Sequence, residues 1–219
     1  MSGIPTSFVS ARPNSWKNLV LDAGIVVVDL NQATLQTTGD YLQAVSIAWT
    51  ETISGVTYTR TPRYLGATRG GSTINIGKTE RQVEIDGARL EYMNLQRISK
   101  IAPTLETMLL EVADEETSGM SMGSFTGTNY PAGGYTGLRP NLIVSQGDYY
   151  GNVSILATIS GSLMPKVWVL EHARVDQADP QQLKDNNEVA QKVIFRGHAD
   201  LSGVNVVPYV EYVPTILGS

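Results

Sequence analysis

The sequence predicts a β-rich α+β fold: an antiparallel β-sandwich or small barrel with one flanking helix and long loops or arms. Apolar and polar residues alternate along several short stretches, which is the period of a half-buried strand. Glycine, proline and small polar residues separate these stretches and supply the turns. Only one stretch has the spacing of an amphipathic helix, so we expect strands to dominate.

The first half of the chain contributes one long strand and one hairpin. Residues 19–30 are rich in valine and isoleucine, and Gly24 within them indicates a bulge or a close backbone approach. Residues 81–85 alternate as a strand, and a second strand follows through Tyr92. Asp86-Gly87 forms the turn between them, because glycine takes the positive φ that a tight turn requires.

The last third of the chain returns to strands. The tail alternates around Pro208 and Pro214. Because proline cannot donate to a β-ladder, we expect the tail to be an edge strand or a strand laid on another subunit. Further strands are predicted at residues 153–160, 167–170 and 189–200.

The single predicted helix begins at Pro103, since proline suits the first turn of a helix. Leu105, Met108, Leu109 and Val112 fall at helical spacing and form one apolar stripe. We expect this stripe to pack the helix onto the sheet.

The chain is interpreted as one domain over residues 1–219. It contains three irregular regions: an N-terminal arm (1–14), a long loop (31–72) and a loop rich in Gly, Ser and Thr (114–140). Within the long loop, residues 41–49 fit either a helix or a strand. Loops of this length are usually functional or ordered by a partner.

Composition narrows the classes of function. The chain has no cysteine, which excludes disulfides and thiolate metal sites. Its net charge of −5 argues against a protein built to grip nucleic acid. No apolar run approaches membrane-spanning length, and the N-terminus lacks the pattern of a secretory signal. Without such a signal, the sequon at residues 152–154 is expected to be inert.

The stretch GSTINIGKT is similar to a phosphate-binding loop, but its spacing is wrong. Five residues separate Gly71 from Gly77, whereas the motif requires four. A phosphate-binding loop also opens a helix, and here Lys78 precedes a strand pattern. A β-turn with a solvated lysine is therefore favoured over nucleotide binding.

No catalytic constellation emerges from the remaining polar residues, and no cofactor or metal is predicted. The adjacent acids Asp114, Glu115 and Glu116 have no histidine or second acid cluster nearby in sequence, which favours a solvated loop. His172 and His198 lie in separate strand patterns. A pair on neighbouring strands can bind metal, but without a third ligand a surface or lumen position is favoured.

Several motifs in order carry a family resemblance. The runs LGATRGGS, RQVEIDGAR and APTLETMLLEV come first, and VWVLEHARV and LKDNNEVAQKVIFRGHAD follow later. Together they cover about half of the chain, and their order resembles that of the tail tube (major tail) proteins of long-tailed bacteriophages.

The resemblance implies a structural, non-enzymatic virion protein made in the cytoplasm of the host bacterium. Proteins of this family form rings, usually of six subunits, which stack into a hollow tube for genome passage. The implied partners are further copies of the chain, the tape measure, terminator and distal tail proteins, and DNA in transient, non-specific passage, with no membrane. Two alternatives stay open: another β-rich virion component (a tail terminator, distal tail or capsid decoration protein), and a nucleotide-binding protein using GSTINIGKT.

A cluster of Arg and Tyr residues is the candidate subunit contact, because these residue types are favoured interface anchors. Its members are Arg60, Arg63, Tyr64 and Arg69, all in or near the predicted long loop of a net-acidic chain.

An acidic or polar inner wall suits a channel for DNA, because every basic contact adds a salt-dependent grip on phosphate. Gln82, Glu84 and Asp86 of the central hairpin are therefore the lumen candidates. Lys192 and Arg196 of the late strand are assigned to the exterior or to a subunit contact instead.

Overall fold

Fifteen strands and three short helices form the described part of the chain. The computed structural model describes residues 20, 24–82, 96–110, 115–120, 122–130, 133–179, 189–200 and 206–214. The strands are Ile25–Val28 (β1), Trp49–Ile53 (β2), Val56–Arg60 (β3), Arg63–Tyr64 (β4), Thr68–Asn75 (β5), Lys78–Gln82 (β6), Gln96–Ile101 (β7), Thr104–Leu109 (β8), Phe125–Tyr130 (β9), Tyr135–Pro140 (β10), Asn152–Ala157 (β11), Lys166–Glu171 (β12), Arg174–Ala178 (β13), Gln191–Arg196 (β14) and Tyr209–Tyr212 (β15). The helices are Gln32–Thr38 (α1), Tyr41–Ala44 (α2) and Glu115–Met120 (α3), and a 3-10 turn spans Gln146–Asp148.

Two antiparallel sheets pack face to face. The five-stranded sheet has the order β15-β12-β11-β1-β4, and the four-stranded sheet has the order β13-β14-β8-β5. Both contribute to one core cluster, in which Val26 and Val153 come from the first sheet and Leu105 and Phe195 from the second. Within the described residues neither sheet closes on itself, so the predicted antiparallel sandwich is confirmed and the barrel alternative is not adopted.

The helical layer comes from a region that the sequence predicts to be a loop. Asn31 caps α1 by accepting a hydrogen bond from the backbone N–H of Thr34 at 3.0 Å, and Gly39 ends it with a φ of 67°. Asp40 then caps α2. The prediction of a long loop over residues 31–72 is therefore wrong, because this region also holds β2, β3, β4 and most of β5.

The helices α1 and α2 cover the outer face of the five-stranded sheet. Leu30 and Ala44 form a second core cluster with Val27, Leu156 and Val167 of that sheet. The sheet is thus buried on both faces, and every residue of β11 is buried as a consequence. None of the described helices is long and apolar enough to cross a membrane.

The predicted helix from Pro103 to Val112 is wrong, because Thr104–Leu109 forms strand β8 between β14 and β5. Leu105 and Leu109 both point into the core and are fully buried, whereas Met108 lies on the opposite face and is 37% exposed. A spacing of four residues satisfies both a helix and a strand, so these two leucines do not distinguish the periods. Val112 lies outside the described residues.

The predicted loop over residues 114–140 is also wrong in its described part. It contains α3 and the ribbon formed by β9 and β10, with Met120 buried in the sandwich core. Glu115 and Glu116 belong to α3 and not to a solvated loop. The N-terminal arm (1–14) lies outside the described residues.

Several local predictions are confirmed. Gly24 has a φ of 80°, and a Cβ there would lie 2.6 Å from Cγ2 of Ile155, which is a close backbone approach. The stretch GSTINIGKT runs from β5 into β6, so no helix follows Lys78. The tail strand β15 lies at an edge of the five-stranded sheet. β6 pairs with β7 in an antiparallel ladder, whereas most of the predicted hairpin, including its turn at Asp86 and Gly87 and its second strand through Tyr92, lies outside the described residues.

We predict that Leu109→Ala lowers the free energy of unfolding by about 2–5 kcal/mol, because it leaves a cavity at a fully buried position. Met108→Ala is the matched control on the outer face of the same strand, and it should cost less than about 1 kcal/mol. Urea-induced unfolding of both variants measures the difference. Equal losses in the two variants would contradict the strand assignment.

Candidate subunit-contact site

The hairpin of β2 and β3 is attached to the sandwich through side chains. The indole Nε1 of Trp49 donates to the backbone carbonyl of Asp29 at 2.8 Å. Arg60 donates from Nη1 to the backbone carbonyl of Tyr149 at 2.9 Å. At the other end of the hairpin, Gln146 donates from Nε2 to Oγ of Ser54 at 3.1 Å. Because the hairpin strands pair only with each other among the described strands, these contacts set its position.

Arg60 is engaged within its own chain. Its Nε donates to Oε1 of Glu51 at 2.7 Å, and the two side chains are only 9% and 12% exposed. The guanidinium also lies 5.0 Å from the ring centroid of Tyr58. Of the predicted contact residues, Arg60 therefore stabilises the hairpin and is not presented at the surface.

The other predicted contact residues are more accessible. Arg63 lies 3.8 Å from Oδ2 of Asp29 and 5.7 Å from the ring centroid of Tyr150, with its side chain 42% exposed. Tyr64 is exposed on the short edge strand β4. Arg69 is exposed in β5. The structure brings Arg60 and Arg63 to one cleft, whereas Arg69 lines a different one on the four-stranded sheet.

A β-bulge presents Arg69. In the pairing of β5 with β8, Thr68 lies opposite Leu109 but Ser72 lies opposite Thr107, so two extra residues leave the ladder. Gly70 and Gly71 have φ values of 74° and 83° in this bulge, which glycine adopts without steric cost. Gly70 and Gly71 thus interrupt the ladder within strand β5.

Asp29 is a buried acid that the sequence reasoning did not identify. It has a φ of 58° directly after β1, and its Oδ1 accepts a hydrogen bond from the backbone N–H of Gly151 at 2.7 Å. Burial raises the pKa of its carboxyl above the ordinary value of 3.8, against the opposing effects of the Gly151 hydrogen bond and the Arg60 and Arg63 charges. The one sequence signal for the burial of Asp29 is that this acid directly follows three consecutive valines.

A polar cleft of about 590 Å³ opens at the junction between the β2–β3 hairpin and the sandwich. Its charges are mixed: Arg60 and Arg63 face it together with Asp29, Glu115 and Asp148. Glu115 belongs to the acidic run at residues 114–116, and it is the residue of that run that lines the cleft in the described part of the chain. Within the described residues, no group of three or more potential His, Cys, Asp or Glu ligands is placed to hold a metal.

The two histidines, which lie in separate strand patterns in the sequence, line one small recess of about 260 Å³. The backbone N–H of His198 donates to the carbonyl of Glu171 at 3.1 Å, and its ring meets that of Tyr149 edge-on at 5.2 Å. Burial lowers the pKa of the His198 imidazole from its ordinary value. His172 lies with Nε2 3.7 Å from Oε2 of Glu51. Both histidines therefore belong to the junction beneath the β2–β3 hairpin.

The sequon asparagine has a structural role. Asn152 is fully buried, donates from Nδ2 to the carbonyl of Leu30 at 2.8 Å and accepts from the backbone N–H of Leu30 at 2.9 Å. Its amide links β11 to the end of β1, and it is inaccessible to a glycosylating enzyme in the folded chain.

All four outer edges of the two sheets are interrupted or short. β4 has two residues, and Pro208 and Pro214 flank β15. Both edges of the four-stranded sheet contain bulges, in β5 and, between Val175 and Gln177, in β13. Such features disfavour the addition of another strand.

The loop after β10 exposes an apolar run instead. Leu142 and Ile143 are 103% and 81% exposed, and Val144 is also exposed. Consecutive exposed aliphatic residues are unusual on the surface of a monomer.

Only one of the three lumen candidates belongs to the described part of the chain. Gln82 is the last residue of β6, and Glu84 and Asp86 lie outside the described residues. Lys192 and Arg196, which the sequence assigns to the exterior, form ion pairs with Glu106 and Asp176 at 2.7 Å each.

Comparisons with known proteins give likenesses among solved structures. No protein-family model and no curated protein matches the chain. A chain in the cryo-EM structure of the anti-feeding prophage baseplate, symmetrised six-fold, is similar to this chain with a TM-score of 0.39 and 12% sequence identity. The match covers 83% of this chain and 93% of that chain.

We predict that Arg60→Leu lowers the free energy of unfolding by about 3–5 kcal/mol, because it leaves the Glu51 carboxylate buried without its cation. Adding Glu51→Leu to that variant should restore part of the loss, since both charges are then replaced by apolar groups. The exposed Arg69→Leu is the control and should stay within about 0.5 kcal/mol of the wild type. Chemical denaturation measures all four chains, and similar losses for Arg60 and Arg69 would disprove the buried ion pair.

Asp29→Asn should change how stability depends on pH. The raised pKa means that, just above pH 3.8, the folded chain holds a proton that the unfolded chain has lost. The free energy of unfolding of the wild type should therefore rise relative to that of the variant as the pH falls through this window, because asparagine does not bind a proton there. Asparagine also tolerates the left-handed backbone at this position. Thermal unfolding from pH 7 to pH 3 tests this, and a difference that stays constant with pH would refute it.

Proposed function

We propose that this chain is a structural protein of the tail of a long-tailed bacteriophage. In this proposal it polymerises into rings, of six subunits by family resemblance, that stack into a hollow tube for genome passage. The role requires neither catalysis nor a cofactor. Its partners are other copies of the chain and, at the ends and interior of the tube, terminator, distal tail and tape measure proteins.

The observation that carries the proposal is the presence of three two-stranded ribbons outside both sheets. β2 pairs only with β3, β6 only with β7 and β9 only with β10 among the described strands. An isolated two-stranded hairpin is at best marginally stable in water. Contacts with neighbouring copies would add to the contacts that hold these ribbons within one chain.

The surface composition supports assembly through loops and ribbons. The sheet edges are interrupted, which disfavours simple edge-to-edge pairing. The exposed run at Leu142 and Ile143 provides apolar area that a neighbouring subunit would bury. Contacts between different patches of the same chain are head-to-tail, and they close as rings or continue as filaments.

The charge of the chain suits passage of DNA without retention. A net charge of −5 per copy repels phosphate on average, and a wall with few free cations limits salt-dependent binding. In this proposal the hairpin residues Gln82, Glu84 and Asp86 face the lumen, while Arg63, Tyr64 and Arg69 contribute to subunit contacts.

We predict that the purified wild-type chain forms tubes that are visible by negative-stain electron microscopy. The double substitution of Leu142 and Ile143 by serine should leave the free energy of unfolding of the unassembled chain within about 0.5 kcal/mol of the wild type, because both side chains are exposed. Thermal unfolding measures it. The same variant should fail to form tubes, because the buried apolar area is lost.

The form of the wild-type assemblies separates the alternatives. Single rings without stacking would favour a terminator or distal tail protein, and a monomer that binds only preformed capsids would favour a decoration protein. Either result would overturn the tube assignment. Tubes that form equally well from the serine variant would show that residues 142–143 are not at a contact.

A further inference from the structure

The β6–β7 ribbon combines positive charge with exposed apolar residues. Its described part carries four basic residues, Lys78, Arg81, Arg97 and Lys100, against the single acid Glu80. Lys78 forms an ion pair with Glu80. Neither Arg81 nor Lys100 has an ion-pair partner in the part of the chain that the structure describes, and both are exposed.

The pairing within this ribbon is electrostatically unfavourable. Arg81 lies directly opposite Arg97 in the ladder, and like charges at opposed positions destabilise a strand pair. The register also shifts between Thr79 and Glu80, so the ladder is interrupted close to its base. A ribbon of only two strands has little other stabilisation. An acidic surface placed against it would offset the repulsion between the arginines.

Exposed isoleucines indicate that this acidic partner is a protein. Ile98 is 52% exposed within β7, and Ile76 is 44% exposed just before β6. A phosphate backbone offers charge but little apolar surface, so duplex DNA would satisfy the cations and leave the isoleucines in water. A protein surface buries both.

We infer that the base of the β6–β7 ribbon, residues 78–81 and 97–101, docks on an acidic surface of a second copy of this chain. The charges are complementary: the ribbon base carries +3 within a chain of −5, so the remainder of each copy carries −8. Opposite net charge on the ribbon base and on the remainder of the chain favours head-to-tail contact and disfavours ribbon-to-ribbon contact. The inference rests on the proposed assembly and names one of its contacts.

Charge reversal of Arg81 and Lys100 to glutamate tests the contact. The concentration at which the double variant assembles, measured by sedimentation velocity, should rise at least about tenfold over the wild type, since like charges then face each other. Raising the salt from 50 to 500 mM should weaken wild-type assembly, because exposed ion pairs are screened. Unchanged assembly of the double variant would overturn the inference while leaving the tube proposal intact.

Arg139→Glu is the control for a charge reversal elsewhere on the chain, and it changes the net charge by half as much as the double variant does. Arg139 is an exposed cation on the separate β9–β10 ribbon, and it has no ion-pair partner among the described residues. Its reversal should leave the assembly concentration within about twofold of the wild type. An equal defect in this control would attribute the effect to net charge and overturn the inference.

Duplex DNA is the competing partner, and a binding measurement separates it. Fluorescence anisotropy with a labelled 20-base-pair duplex should give no difference between the wild type and the Arg81/Lys100 double variant. Salt-dependent DNA binding that the double variant loses, together with normal assembly, would assign the ribbon to nucleic acid. If wild-type chains do not assemble at all, the proposed function is refuted, and the ribbon contact that rests on it is refuted as well.

Discussion

Burial of the five-stranded sheet on both faces is the constraint on which the fold depends. The central strands of this sheet carry apolar side chains on both faces. Neither face can therefore be left exposed to water. The four-stranded sheet covers one side, and α1 and α2 cover the other. Without that helical pair, Val27, Leu156 and Val167 would be exposed, so a segment with little apolar content of its own is required for stability.

The same constraint explains which parts of the fold could be predicted from sequence. β1, β12 and β14 have runs of β-branched and aromatic residues that indicate strands directly. α1 has visible end signals in Asn31 and Gly39, but few apolar residues, so it lacks the periodicity by which a helix is usually identified. For β8, Leu105 and Leu109 fit either period, and only its pairing with β14 and β5 decides the outcome.

The buried polar junction could not be predicted, because its members come from distant parts of the chain. Asp29, Glu51, Tyr149 and His172 are distant in sequence and meet only in the folded chain. Arg60 illustrates the limit. Its residue type and its place in a polar region suggest a surface anchor, whereas the structure uses its charge to hold a hairpin against the body of its own chain. The interior position follows from the neighbouring carboxylate, since a buried guanidinium requires one.

The interrupted sheet edges have a consequence for how single copies of the chain can pair. Open strand edges are the sites at which a concentrated β-protein aggregates through β-pairing. Two bulges, two flanking prolines and one two-residue strand keep each edge from acting as a template. In the proposed assembly, copies would therefore join through a complementary surface of the neighbouring copy and not through an open strand edge. Polymer length and starting point would then be set by nucleation and not by concentration alone.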